Sequence, residues 1–275
     1  MIDEQAYIMP SNTTACGYLE EGDAMMREGL ICNALVWLMA KLANFMAVGG
    51  EISNKAGMDW GGIPKLTLLD QWFSLRKQFQ VWHEGLPVIF RPSARVAPSH
   101  TSGQISNDDD TPIFTEVWYS IPMCASTMQT YHMSQILLFM NKPHESTLGR
   151  NTVVTRMKYY QSVLAICQNH SRKIVGISLA RPDKAVRIHS VQPLFTAGQC
   201  LSDERERRVV LHLLRDIESD IGWATDYQVQ QLIEQWQGEE SEGLVPCLCT
   251  QCTDSVNARR TPFQPKLNHH ITPPV

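Results

Sequence analysis

Apolar residues recur three and four positions apart along most of this 275-residue chain, the spacing of one face of an α-helix. The clearest case is the stretch from Ala185 to Trp236, which the pattern predicts as three helices joined by two short turns. The first ends at Gly198, a residue type that tolerates the positive φ of a helix C-terminus. Ser202 offers a capping oxygen to the second, and Asp203 and Glu204 fall in its first turn, where the helix dipole favours negative charge. Val210, Leu213, Leu214, Ile217 and Ile221 form its apolar stripe, and Gly222 stops it. Thr225 is placed to cap the third helix, whose stripe is Val229, Leu232, Ile233 and Trp236 and which Gly238 closes.

The same period organises the rest of the chain. A helix from Asp23 to about Val48, ended by Gly49 and Gly50, is apolar around most of its circumference, which predicts a position in the middle of a large core. Asn33, Lys41 and Asn44 interrupt that run and make it a poor membrane span. Thr67 caps a second helix with Leu68, Leu69, Trp72, Leu75, Phe79 and Trp82 on one side, ended by Gly85 and Pro87. Val88 to Phe90 reads as a short extended piece. Arg91 to Thr111 is rich in Pro, Ser, Gly and Asp and reads as a disordered surface loop. Phe114 to Asn141 is mostly helical, with Pro122 as a start or kink and Met128, Tyr131, Leu138 and Phe139 on the buried side. Lys142 to Arg150 forms a turn. Asn151 or Thr152 caps a helix carrying Val153, Met157, Tyr160, Leu164 and Cys167. Ser171 to Ala180 reads as a separate short helix, although Ile174 to Ile177 has the look of a strand. Pro182 breaks the chain and Asp183 caps the next helix. With no hairpin signal, the fold class is all-α, roughly eight to ten helices around one core. Residues 23–238 form this helical domain, 1–22 a loose tail and 239–275 a disordered tail.

Charge narrows the function classes. The net charge is −4, so DNA binding through most of the surface is excluded. Eight cysteines without a basic-then-apolar leader point to a reducing compartment and free thiols. Cys16 and Cys200 stand alone, and Cys32, Cys124 and Cys167 lie in apolar helical patterns where cysteine acts as a small core residue.

Candidate chemistry is sparse. Cys247, Cys249 and Cys252, with His269 and His270 downstream, have thiolates close enough to share a metal. The spacing is not that of a standard finger, and a reduced cysteine-rich tail is the favoured reading. His132 is a general-base candidate, but no Ser, Cys or carboxylate stands at a useful offset. It reads as a helix histidine with one ring nitrogen hydrogen-bonded in or near the core. His83, His170, His189 and His212 are dispersed. Asp108, Asp109 and Asp110 lack the glycine and terminal glutamate of a calcium loop, and Asp203 to Arg208 is a solvated charged face. Trp37, Trp72, Trp82, Trp118, Trp223 and Trp236 fall mainly on helix stripes and are expected in the core, though a bundle this large has room for a ligand pocket. No phosphate loop or nucleophile elbow occurs. The expectation is therefore a protein that is not an enzyme, with no catalytic, cofactor-binding or metal residues and no cofactor.

Order of motifs adds a resemblance. Gln192, Pro193 and Leu194, then Ala197 and Gly198, then Leu201, Glu206, Leu211, Leu214, Ile217 and Glu218, then Trp223, Thr225, Leu232 and Trp236 resemble the C-terminal part of the fungal-specific transcription factor domain. That domain is the regulatory region of fungal binuclear zinc-cluster transcription factors. LICNALVWLMAKLANF and WFSLRKQFQVWHEGLPVIFRP are similar to its opening segments. Tyr131, His132, Gln135 to Leu138, Asn141 and Pro143 are similar to its central block. The resemblance implies a nuclear protein that modulates activation through the transcription machinery or regulatory proteins, with a small-molecule effector as a further route and no membrane partner. The family's six-cysteine zinc cluster has no counterpart in these residues. DNA contact is thus expected only if a zinc cluster is supplied elsewhere. The alternative is a helical scaffold or corepressor-like protein that has lost DNA binding.

Overall fold

The computed structural model describes residues 21–54, 65–98, 113–143 and 153–242. Eight α-helices carry these residues: α1 (Glu21–Asn54), α2 (Lys65–Glu84), α3 (Pro122–Met140), α4 (Val153–Leu179), α5 (Lys184–His189), α6 (Val191–Gly198), α7 (Glu204–Ile221) and α8 (Asp226–Glu242). The all-α expectation is met. Two three-residue strands, β1 (Ala94–Val96) and β2 (Glu116–Trp118), pair antiparallel with Arg95 opposite Val117.

Helices α3 and α4 pack along one another at the centre. On one side α1 and α2 close an aromatic-rich cluster around Leu35, Leu42, Trp72, Phe79, Trp82 and Leu138. On the other, α6, α7 and α8 close an aliphatic cluster around Ile174, Leu194, Leu201, Val210, Leu214 and Leu232. Leu137, Phe139 and Met39 pack against both.

Local chemistry explains most boundaries. The chain turns through a 3-10 segment at Val88–Phe90, not the extended piece expected there, and buries Phe90. Pro122 stands in the first turn of α3, where its missing N–H costs nothing. Asp183 caps α5 by accepting the Ala185 N–H at 2.8 Å. Asp203, not Ser202, is the cap of α7, accepting from Arg205 N at 2.8 Å and Glu206 N at 3.4 Å. Gly222 ends α7 at φ 79, a left-handed position that glycine adopts without a Cβ clash. Ala185–Trp236 holds four helices, because α5 and α6 meet at Ser190.

Gly198 is not a left-handed stop. It ends α6 as expected but without positive φ, and a Cβ there would press on both Leu232 methyls, so its role is close approach of α8. Nor is Ser171–Ala180 a separate element. Helix α4 runs through it unbroken, with Ser171 Oγ donating to Cys167 O and Ser178 Oγ to Ile174 O. At Gly176 a Cβ would collide with the Thr115 carbonyl oxygen, which is how the segment carrying β2 lies so close on α4. The chain then leaves α4 through Arg181 at φ 47.

The largest departure is α1. One face, Leu35, Leu38, Leu42 and Phe45, packs on α2 and α3, while Leu30, Val36 and Trp37 are exposed on the other. It therefore lies at the edge of the core. Its Arg27–Ala47 portion is long and apolar enough to cross a membrane by length and composition. Trp118 and Trp223 are also exposed, against the expectation of core tryptophans. Helix α8 continues through Gly238 to Glu242. Asp108–Asp110, Cys16, Cys247, Cys249, Cys252, His269 and His270 lie outside the described residues. Of the expected tails 1–22 and 239–275, residues 21–22 and 239–242 are helical, in α1 and α8, and the rest lie outside the described residues.

Candidate functional site

The densest gathering of titratable rings lies where the end of α2 meets α3 and α4. Trp82 and His83 come from α2, Tyr131 and His132 from α3, and His170 and Lys173 from α4. His132 is buried, and its Nδ1 lies 3.0 Å from Nδ1 of His170. One ring must donate and the other accept, so the pair holds one proton between two facing nitrogens. His83 stacks on Tyr131 with ring centroids 4.6 Å apart and planes 13° apart. Trp82 covers the other part of the Tyr131 ring at 5.4 Å, and its Nε1 donates to Ile31 O of α1 at 3.0 Å.

Electrostatics keep these rings neutral. Burial, then the neighbouring His170 and Lys173 charges, holds His132 well below the ordinary histidine range. Burial and Lys173 lower His170 to about 4, and His83 is lowered by the same two causes. Burial raises the Tyr131 phenol to about 12. Burial and nearby Arg95 lower Lys173. Among the described residues the two rings hydrogen-bond to each other and not to a nucleophile or carboxylate, and such a neutral pair can relay or share a proton. Among the described residues no group of three or more His, Cys, Asp or Glu is placed to hold a metal.

His132 thus occupies the core position read from its surroundings. His83 and His170, expected to be dispersed, are drawn to the same place. A signal for His170 exists: it falls between Cys167 and Ile174 on the buried stripe of α4. His212 pairs with Asp216 at 3.2 Å on the outer face of α7. A shallow, open depression there, lined by Arg208, Leu211, His212, Arg215 and Asp216, is not an enclosed ligand cavity. The described thiols Cys32, Cys124, Cys167 and Cys200 are free.

Two further polar networks join elements. Buried Gln129 of α3 donates to Ser178 Oγ of α4 at 2.8 Å and accepts from Ser190 Oγ at 2.8 Å. The second ties together the motif residues of the C-terminal helices. Glu206 is buried and meets Arg172 of α4 through two contacts, 2.6 and 3.3 Å. Glu218 Oε2 accepts from Thr225 N and Oγ1, and Thr225 Oγ1 lies 2.8 Å from Leu214 O. Trp236 Nε1 donates to Gly198 O at 3.2 Å, and Arg207 lies over the same indole at 5.0 Å. Thr225 therefore fastens the turn to α7 through its side chain. These residues lock α6, α7 and α8 onto α4.

Comparison with known proteins follows this picture of a locked helical body. Over 242 residues the chain is 73% identical to a protein of Alternaria alternata named transcription activator AMTR1; the match covers 88% of this chain and 31% of that protein. The chain thus spans about a third of the length of the curated relative it matches. No family model matches the chain, and no solved structure matches it.

Proposed function

We propose that residues 23–238 are the helical regulatory body of a fungal transcription factor, acting in the nucleus through protein contacts. The observation that carries this reading is the 73% identity, across 88% of this chain, to a protein named a transcription activator. The partners are the transcription machinery or its regulators, and a small-molecule effector is a second route to the same control. The net charge of −4 supports a body that does not itself contact DNA. A zinc cluster would have to be supplied by other sequence. The histidine pair and the Gln129 and Glu206 networks read as packing devices, which supports a role without catalysis.

Fusion of this chain to a heterologous DNA-binding domain tests the proposal. A reporter carrying the matching sites is expected to change its output when the fusion is compared with the DNA-binding domain alone. Increased output fits an activator, and repression fits the corepressor-like alternative. An unchanged reporter, with the fusion expressed and nuclear, contradicts a regulatory role.

A further inference from the structure

The outward face of α1 has a symmetry that its burial pattern brings out. Leu30, Asn33, Val36, Trp37, Ala40, Ala43, Asn44 and Ala47 are all exposed, and none carries a charge. Leu30 is 59% and Trp37 63% exposed. Leu30, Asn33, Trp37, Ala40, Asn44 and Ala47 repeat at intervals of three and four and form one seam along the helix. The inner face is committed elsewhere: Leu35, Leu38, Leu42 and Phe45 are buried, Cys32 Sγ lies 3.0 Å from Thr127 Oγ1, and Ile31 O accepts from Trp82.

We propose that this seam pairs with the same seam of a second copy, the two helices antiparallel about a two-fold axis between Leu38 and Met39. In a two-fold interface each residue meets the partner position that reflects it through the axis. Here Trp37 falls opposite Ala40, Leu30 opposite Ala47, and Asn33 opposite Asn44. Each large side chain meets a small one, which lets the helices approach closely. The two amides meet each other, and polar pairs of this kind fix register within an otherwise apolar seam. With no charge on these positions, antiparallel self-pairing meets no like-charge repulsion. Lys41, the nearest cation, is held by Gln78 at 3.2 Å and lies over Trp37 at 5.7 Å. A membrane fits less well. Spanning one would strip the inner face from α2 and α3, and lying on one would bury two asparagines without partners.

Sedimentation equilibrium of the 275-residue chain across the micromolar range tests the pairing. A monomer–dimer equilibrium is expected, and Trp37→Glu is expected to weaken it about a hundredfold, as loss of a central tryptophan anchor does. Helical circular dichroism and the unfolding midpoint of that variant should match those of the unaltered chain, since Trp37 makes no core contact. Register is tested with Asn33→Cys and Asn44→Cys chains, each with Cys16, Cys247, Cys249 and Cys252 changed to serine. Mixed chains are expected to cross-link at least about tenfold faster than either alone, because like positions lie about 16 Å apart along the axis. A dimer indifferent to Trp37→Glu overturns the proposal, as does equal cross-linking of mixed and single chains. A monomer that pellets with phosphatidylcholine vesicles would assign the face to a membrane. A monomer that ignores vesicles would leave it to a different protein. Either result also overturns pairing with a second copy.

Discussion

The two halves of the core solve the same problem with different materials. Around α1 and α2 the packing is aromatic: Trp72, Phe79, Trp82, Phe90 and Tyr131 are all buried there. Around α6, α7 and α8 it is mainly aliphatic, with Phe114 and Trp236 the buried aromatic members. Yet each half uses an indole N–H to satisfy the end of a neighbouring helix. Trp72 Nε1 donates to Leu138 O in the last turn of α3 at 2.7 Å, and Trp236 Nε1 donates to Gly198 O at the end of α6. Helix ends leave carbonyls without intrahelical donors, and a tryptophan in the next layer supplies one while filling space. The halves differ in what sets spacing. Rings fill the space on the aromatic side, whereas at Gly176 the backbone of the Thr115 segment comes close on α4 and at Gly198 the Leu232 side chain of α8 lies close on α6.

That contrast can be broken from either side. Trp72→Ala should have the largest effect, about 3–5 kcal/mol, because it opens a cavity and orphans the Leu138 carbonyl. Trp72→Phe keeps most of the ring and should cost about 1–2 kcal/mol, the share of the hydrogen bond and lost volume. Urea unfolding of both variants separates the two contributions. Gly176→Ala should cost about 1–3 kcal/mol, since the added methyl meets backbone that cannot swing away. Gly198→Ala should cost less, because its obstacle is the movable end of Leu232. A larger loss at Gly198 than at Gly176 would reverse the assignment of rigid and yielding contacts.

The histidine cluster sharpens the comparison through pH. His132 and His170 are neutral when folded, with His170 lowered to about 4, whereas unfolded histidine titrates near 6.5. Below that value the unfolded chain binds more protons, so stability falls as pH drops from about 6.5 toward 4. The slope approaches about 1.4 kcal/mol per pH unit for each neutral ring. Replacing both with glutamine should flatten the fall in urea midpoints between pH 6.5 and 4.5. An unchanged slope would contradict the neutral pair. The smallest effect belongs to Asp203→Ala, about 1 kcal/mol for one lost cap, read from thermal unfolding.

Legibility from the residues divides along the same line. Helices α7 and α8 were readable because each carries a full stripe, and Gly222 stops α7 as expected. Their caps were harder, since Ser202 and Asp203 have similar chemistry and only the backbone decides between them. Helix α1 misled because residues apolar on all sides are compatible with burial and with a free face; periodicity counts faces but not neighbours. The β1–β2 pair was invisible for a physical reason: three residues per strand, separated by a long intervening segment, leave no alternation to detect. Helix α4 looked divided because Ile174, Val175 and Ile177 favour strands locally, yet packing between α3 and α6 outweighs that preference. The histidine cluster joins three helices remote in sequence, so only the stripe position of His170 hinted at it. Motif order, by contrast, singled out residues most of which lock α6 to α8, with Gln192 and Trp223 exposed.

Leu137, Phe139 and Met39 pack against both halves, and we propose that the two unfold as one body. Urea unfolding followed in parallel by tryptophan fluorescence and far-ultraviolet circular dichroism tests it most directly, using Trp72→Phe/Trp82→Phe and Trp236→Phe variants to weight the fluorescence toward each half. The account expects fluorescence and dichroism to give one superimposable transition within each protein. Fluorescence from one half departing at lower urea, while the other half and part of the helical signal persist, would show two independent units and contradict it.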